Sequence, residues 1–185
     1  MNKTWKHLFE GVFLPAVAGN VLWTFLTMIL DGFSFVELPR LFLLLILGFY
    51  LLVAWLLYKT IDISKAKPCY WLFEAAYLLA LTVTALAAQY SPEWLRIIVS
   101  IYFAIVVVGH FANAWSEADN TQDLRWRLVL LNVVGLGILW LAWWLGARQP
   151  IVLEWSVPFS FAFALWLWIK WIRRKLGTIE SRMPN

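Results

Sequence analysis

Cysteine and histidine are scarce in this 185-residue chain, and their scarcity limits its chemistry. Cys69 is the single cysteine, which excludes an intramolecular disulfide, a multi-cysteine metal or iron–sulfur site and a two-thiol redox cycle within one chain. The two histidines are His7, in the N-terminal arm, and His110. They are too few for a bis-histidine haem or a multi-histidine di-metal site. We therefore predict no cofactor and no metal.

Recognisable catalytic patterns are missing as well. The sequence has no Gly-x-Ser-x-Gly elbow, no phosphate-binding glycine-rich loop ending in Lys-Ser/Thr and no His-Glu-x-x-His. A lipid-modifying enzyme with Glu74 and His110 as acid and base is one hypothesis, and it is the weakest, because no nucleophile or metal set accompanies these two residues. No catalytic residue is predicted.

Charged residues are scarce too, at 14% of the chain against 63% hydrophobic residues. An ordinary soluble domain has about a quarter of its residues charged, and a soluble fold could not hide so much apolar surface. The composition therefore indicates a single polytopic membrane domain over residues 1–185. The net charge of +4 comes mostly from loop lysines and arginines, so it does not suggest a nucleic-acid partner.

Six apolar segments approach the length of about 20 residues that a helix needs to cross a bilayer. They are residues 11–30, 41–58, 69–89, 95–113, 128–145 and 155–171. Lys3 and Lys6 precede the first segment as in a signal peptide, but no Ala-x-Ala cleavage pattern follows, so we predict a retained first helix. We expect the leucine-rich second helix to face lipid and the first and third helices to face the interior.

The distribution of lysine and arginine predicts the orientation of these helices, because such residues are retained on the cytoplasmic side. If the loops alternate sides, one side carries twelve of the 15 basic residues: Lys3, Lys6, Lys59, Lys65, Lys67, Arg125, Arg127, Lys170, Arg173, Arg174, Lys175 and Arg182. The other side carries Arg40, Arg96 and Arg148. The predicted fold class is an all-α integral membrane protein: about six transmembrane helices in three helical hairpins, with both termini cytoplasmic. The expected location is the bacterial cytoplasmic (inner) membrane.

Polar groups at membrane depth cost several kcal/mol when unpaired, so each is a functional hypothesis. The candidates for a pore or a substrate site are Glu74, His110, Asn113, Asn20 and Asn132. Glu74 and His110 lie near the cytoplasmic ends of neighbouring helices, where a carboxylate would stabilise a charged imidazole and form a proton-sensitive gate. The alternative is a structural role, in which these side chains make a single hydrogen bond or extend to interfacial water.

Two further segments suggest binding to other molecules. The polar stretch 116–127 is a predicted cytoplasmic loop, and its charged residues Glu117, Asp119, Asp123, Arg125 and Arg127 are candidates for docking a partner. In the short basic tail, residues 172–185, Arg173, Arg174 and Lys175 are candidates for binding lipid headgroups.

The leading functional hypothesis is a small membrane channel or carrier for an ion or small solute. It is expected to be oligomeric, because six helices with a sparsely polar midplane enclose little on their own. The alternative is a non-transporting scaffold, assembly or partner-docking subunit. The predicted partners are membrane lipids and either further copies of the chain or another membrane protein.

Overall fold

The computed structural model describes residues 4, 7–60, 68–116, 122–146 and 150–180. Six α-helices account for most of them: α1 (Leu14–Leu30), α2 (Leu38–Thr60), α3 (Pro68–Tyr90), α4 (Leu95–Ser116), α5 (Gln122–Gly146) and α6 (Pro150–Glu180). A π-helical turn, Phe9–Phe13, leads into α1, and short 3₁₀ turns, Phe35–Glu37 and Pro92–Trp94, precede α2 and α4. The described part of the chain is all-helical and contains no strand.

Local sequence explains where several helices begin and end. α1 ends before Gly32, whose φ of +80° is a left-handed conformation that glycine adopts readily. Ser34 then donates its backbone N–H to Glu37 Oε2 at 2.8 Å, in a capping box that starts the turn before α2. Pro68 and Pro150 are the first residues of α3 and α6, where proline fits because the first helical N–H needs no partner in the helix.

The six helices form a closed ring in the order α1, α2, α6, α5, α4, α3, and α2 also contacts α3 within it. Pairs of contacts show the relative directions of the neighbours. Phe9, just before α1, packs on Trp71 of α3, and Thr27 of α1 bonds Gln89 of α3, so α1 and α3 are parallel. Phe111 packs on Trp126 and Arg96 lies over Trp143, so α4 and α5 are antiparallel.

Five helical stretches in the described part of the chain are long and apolar enough to cross a membrane. They are Phe9–Leu30, Phe35–Leu56, Trp71–Tyr90, Leu95–Ala112 and Trp126–Leu145. Their outward surfaces are apolar: Leu30, Leu72 and Trp144, for example, are 81%, 70% and 75% exposed. Large apolar side chains spread over a whole surface are unusual in a soluble monomer and suit contact with lipid.

The prediction that the leucine-rich second helix faces lipid is wrong. α2 contacts α1, α3 and α6, and its leucines Leu43, Leu44 and Leu47 are fully buried. The first helix is the more exposed: 28% of its span is buried, against 44% for those of α2 and α3. Leucine suits lipid and protein interior equally, so its abundance did not indicate which helix lies inside.

A helix covers each of the six predicted apolar segments, but three boundaries differ from the prediction by five residues or more. α5 begins at Gln122, so Asp123, Arg125 and Arg127 lie on a helix and not in a loop. α6 extends from Pro150 to Glu180 and includes much of the predicted tail. The segments were bounded where hydropathy falls, whereas a helix continues through charged residues once its first turns are formed.

Candidate functional site

Aromatic side chains fill the middle of the ring. Tyr102 and Phe103 of α4 pack on Phe161 of α6 with ring centroids 5.0 and 5.1 Å apart, and all three are at most 2% exposed. Tyr50 of α2 stacks on Trp168 of α6 at 4.9 Å. α5 lies between α4 and α6 in the ring, so the contacts of Tyr102 and Phe103 with Phe161 cross its interior and close it at this level.

Two tyrosines connect this aromatic centre to α3. Tyr77 of α3 lies 5.7 Å from Tyr50 and 5.5 Å from Tyr102, measured between ring centroids. Tyr77 and Tyr102 are both buried, and their hydroxyls bring polarity into an apolar interior. Among the described residues, the Tyr77 hydroxyl has no hydrogen bond of good geometry, although the Tyr102 hydroxyl is near enough to interact with it.

Glu74 and His110 lie on the same side of the contact between α3 and α4. At that contact, Phe73 Cβ is 3.2 Å from the position that a Cβ would take at Gly109. The helices are antiparallel, so the next residue on each, Glu74 and His110, turns to the same side, with axial levels about 3 Å apart. This side is the interior one, since Tyr77 and Tyr102 also lie there.

These four residues, Glu74, Tyr77, Tyr102 and His110, are called the polar cluster below. Glu74 and His110 are partly buried, and the Glu74 carboxylate is close enough to the Tyr102 hydroxyl to interact with it electrostatically. The carboxylate, imidazole and two hydroxyls can exchange protons with one another or bind a small polar or cationic species. The cluster therefore supplies acid–base groups at the edge of a closed aromatic centre.

The other residues predicted to line a pore or substrate site are more distant or lie outside the described side chains. Asn113 is on α4, about one turn beyond His110, and its side chain is outside the described part. Asn132 of α5 is buried and donates to the Leu128 carbonyl at 2.7 Å, which is a bond within its own helix. No described contact joins Asn132 to the polar cluster.

Asn20 belongs to a different polar stripe, between α1 and α3. The parallel contacts between these helices place Asn20 about 12 Å along α1 from the level of Glu74. Its Nδ2 is buried and has no hydrogen-bond partner among the described residues. Further along the stripe, Gln89 Nε2 donates to Thr27 Oγ1 at 3.0 Å, a bond between helices that the sequence did not indicate.

The predicted docking and headgroup residues are only partly described. Arg127 is exposed near the start of α5. Asp123 and Arg125 lie on the first turns of that helix, and Arg173, Arg174 and Lys175 lie on α6, but the side chains of these five are outside the described part. Glu117 and Asp119 are outside the described residues altogether.

Tyr77 and Tyr102 were not identified as site residues from the sequence. In a membrane protein, tyrosine usually lies at the lipid–water interface, where its ring is apolar and its hydroxyl is wet. Tyr77 and Tyr102 instead lie well inside apolar segments. A tyrosine at that depth needs a polar partner. The position of these two tyrosines within apolar segments was therefore the signal that could have identified them as site residues.

The described residues contain no group of three or more histidine, cysteine, aspartate or glutamate side chains that could hold a metal ion. No family model, no curated protein and no solved structure matches this chain. The fold and its surface therefore define its class: over the residues that the structure describes, it is an all-helical protein with five helices long and apolar enough to span a membrane.

Proposed function

We propose that the chain is a six-helix membrane protein with both termini cytoplasmic and its helices paired as three hairpins. Five apolar helices support this, and α6 includes the apolar segment 155–171 as a sixth span. The directions of neighbouring helices are compatible with strict alternation, which separates twelve basic residues from three. A bacterial inner membrane is the proposed location.

We further propose that this protein moves an ion or small solute across the membrane. The observation that carries the proposal is the polar cluster, in which a partly buried carboxylate and imidazole lie on the same side of the α3–α4 contact as two buried tyrosines in an apolar interior. Ionisable groups at membrane depth are rare and commonly mark ion or proton pathways. Near a cytoplasmic opening, this cluster would receive the transported species or the proton that moves with it.

The closed aromatic centre favours a gated carrier over an open channel. Tyr102, Phe103 and Phe161 pack together across the interior between α4 and α6 and leave no space between their rings for a solute. Transport through one protomer therefore requires these rings to separate, and a change of charge at Glu74 or His110 would alter their packing through Tyr102. In the other form of this proposal, several protomers together enclose the path of the transported species, and the rings within one protomer need not separate.

The test is flux into liposomes that contain the purified protein. We would compare wild type with Glu74→Gln and His110→Ala at about pH 5.5 and about pH 7.5, on either side of the ordinary histidine pKa. Glu93→Gln is the matched control, since Glu93 is an exposed carboxylate in the turn before α4. We expect ion or proton flux above that of empty liposomes, changed by the first two substitutions and unaffected by the control.

A second candidate function is a non-transporting subunit that docks another protein. The same closed centre favours it, because a scaffold needs no path through the ring. No flux from folded protein under any of these conditions would favour this function. Pull-down from native membranes with wild type and with Glu117, Asp119 and Asp123 changed to serine would then show whether segment 116–127 binds the partner.

A further inference from the structure

Arg40, in the first turn of α2, is a largely buried cation with few partners. Its side chain is 13% exposed, and its Nε is buried without a hydrogen-bond partner among the described residues. A guanidinium carries five N–H donors, and buried charges are normally paired and hydrogen-bonded. A positive charge in the first turn is also disfavoured by the helix dipole. The fold therefore places Arg40 where internal contacts do not satisfy it.

Glu37 satisfies Arg40 only in part. Arg40 Nη1 lies 3.7 Å from Glu37 Oε1, which is an ion pair but too long for a hydrogen bond. The other oxygen, Oε2, already accepts the Ser34 backbone N–H at 2.8 Å and the Ser34 hydroxyl at 3.3 Å. Glu37 is thus held by the capping box, and the Arg40 side chain makes no hydrogen bond within the described part of the chain.

The connector beside Arg40 has the surface of a segment that enters lipid. Leu30, Phe35 and Val36 are 81%, 93% and 64% exposed. Apolar side chains at this end of a membrane helix lie among the acyl chains just below the headgroups, at the depth of a phospholipid phosphate. Phe35 and Val36 therefore precede the Arg40 cation by only five and four residues, at the same end of α2.

We infer that Arg40 binds the phosphate group of a phospholipid whose acyl chains pack on Phe35 and Val36. A small rotation of the guanidinium would present Nε and one Nη together, and this fork matches two phosphate oxygens. The site is at the opposite end of the helices from Arg173, Arg174 and Lys175. It requires the membrane location of the protein but not transport.

The test is native mass spectrometry of the detergent-solubilised chain titrated with phosphatidylglycerol. Arg40→Gln should weaken the tightest lipid-binding step by about tenfold or more, as expected for lost charge-assisted hydrogen bonds. Arg40→Lys, which keeps the charge but not the fork, should weaken it less. Arg96→Gln is the control, because Arg96 lies near the same predicted surface with its guanidinium 5.6 Å from the Trp143 ring centroid. Arg96→Gln should leave the tightest lipid-binding step unchanged.

Further arms separate a lipid from free phosphate and control for folding. Phe35→Ser should weaken phosphatidylglycerol binding, and inorganic phosphate at millimolar concentration should not compete with the lipid. Competition by inorganic phosphate together with no effect of Phe35→Ser would replace the lipid with a free anion and overturn the inference. Equal losses in Arg40→Gln and Arg96→Gln would also overturn it, since they would indicate general charge attraction. If Arg40→Gln does not fold, as judged by thermal unfolding, lipid binding by Arg40→Lys is compared with lipid binding by Arg96→Lys. Weaker binding by Arg40→Lys alone would support the inference, and equal binding by the two variants would overturn it.

Discussion

Phe103 of α4 lies against Gly135 of α5, with its Cε1 atom 3.0 Å from the position that a Cβ would take at the glycine. Phe103 is fully buried and packs on Phe161, so it cannot move aside easily. A side chain at position 135 would push this ring into the aromatic centre. The absence of a Cβ therefore lets α4 and α5 approach where the interior is most crowded.

We expect Gly135→Ala to destabilise the protein by about 1–3 kcal/mol, the usual cost of overpacking a core. The check is the thermal unfolding midpoint in detergent, followed by tryptophan fluorescence. Gly137→Ala is the matched control on the same helix, since nothing lies within 4 Å of a Cβ there, and it should be neutral or slightly stabilising. Equal midpoints for the two variants would contradict the close contact.

The bond from Gln89 Nε2 to Thr27 Oγ1 ties α3 to α1, and its loss should be measurable. Gln89→Ala and Thr27→Val should each lower stability, with a coupling energy of about 0.6–1.7 kcal/mol in a double-mutant cycle, as for hydrogen bonds between membrane helices. Thr82→Val is the control, because the Thr82 hydroxyl donates only to the Leu78 carbonyl of its own helix. Additive effects of the first two substitutions would show that the bond contributes no stability.

The proposed membrane topology predicts which positions a membrane-impermeant maleimide can reach. In a Cys69→Ser background, Glu93→Cys should be labelled in intact cells. Thr4→Cys and Asp119→Cys should be labelled only after permeabilisation, because the proposed topology assigns both positions to the side rich in lysine and arginine. The reverse pattern would mean the opposite orientation. Labelling of Glu93→Cys and Asp119→Cys from the same side would mean that α4 does not cross.

The helical segments were predictable from sequence because the property that defines them, a long apolar run, is local. The contacts that each helix makes were not predictable from the sequence. Leu43 and Leu47 were predicted to face lipid but are buried. The prediction failed because an apolar pattern does not distinguish contact with lipid from contact with protein. Asn132, which stays a predicted pore residue, donates a hydrogen bond to its own helix, and the sequence did not indicate this bond.

The candidate site was predictable in part. Glu74 and His110 were paired by assuming a hairpin of helices three and four, and the antiparallel contact at Phe73 and Gly109 places them on one side. The proximity of Glu74 to Tyr102 depends on helix rotation, which a single sequence does not determine. The Arg40 site depends on a missing partner, which becomes apparent only when every neighbour is known.

Tyr77 allows stability and transport to be separated. Its hydroxyl is buried and has no hydrogen bond of good geometry among the described residues, so removing it should relieve a desolvated polar group by more than the weak interaction with the Tyr102 hydroxyl contributes. We expect Tyr77→Phe to raise the unfolding midpoint, with a gain of about 1 kcal/mol. Substitutions at functional sites often stabilise in this way, because functional groups are kept at the expense of packing.

The same variant should reduce flux in the liposome assay if the polar cluster carries protons or binds the transported species. Tyr50→Phe is the comparison, because its ring also packs on Tyr77 but lies on α2, outside the polar cluster. A Tyr77→Phe protein that is more stable and transports less would assign the hydroxyl a functional role. A protein that is more stable and transports as well as wild type would restrict the proposed pathway to Glu74 and His110. A less stable protein would show that the hydroxyl has a structural partner after all.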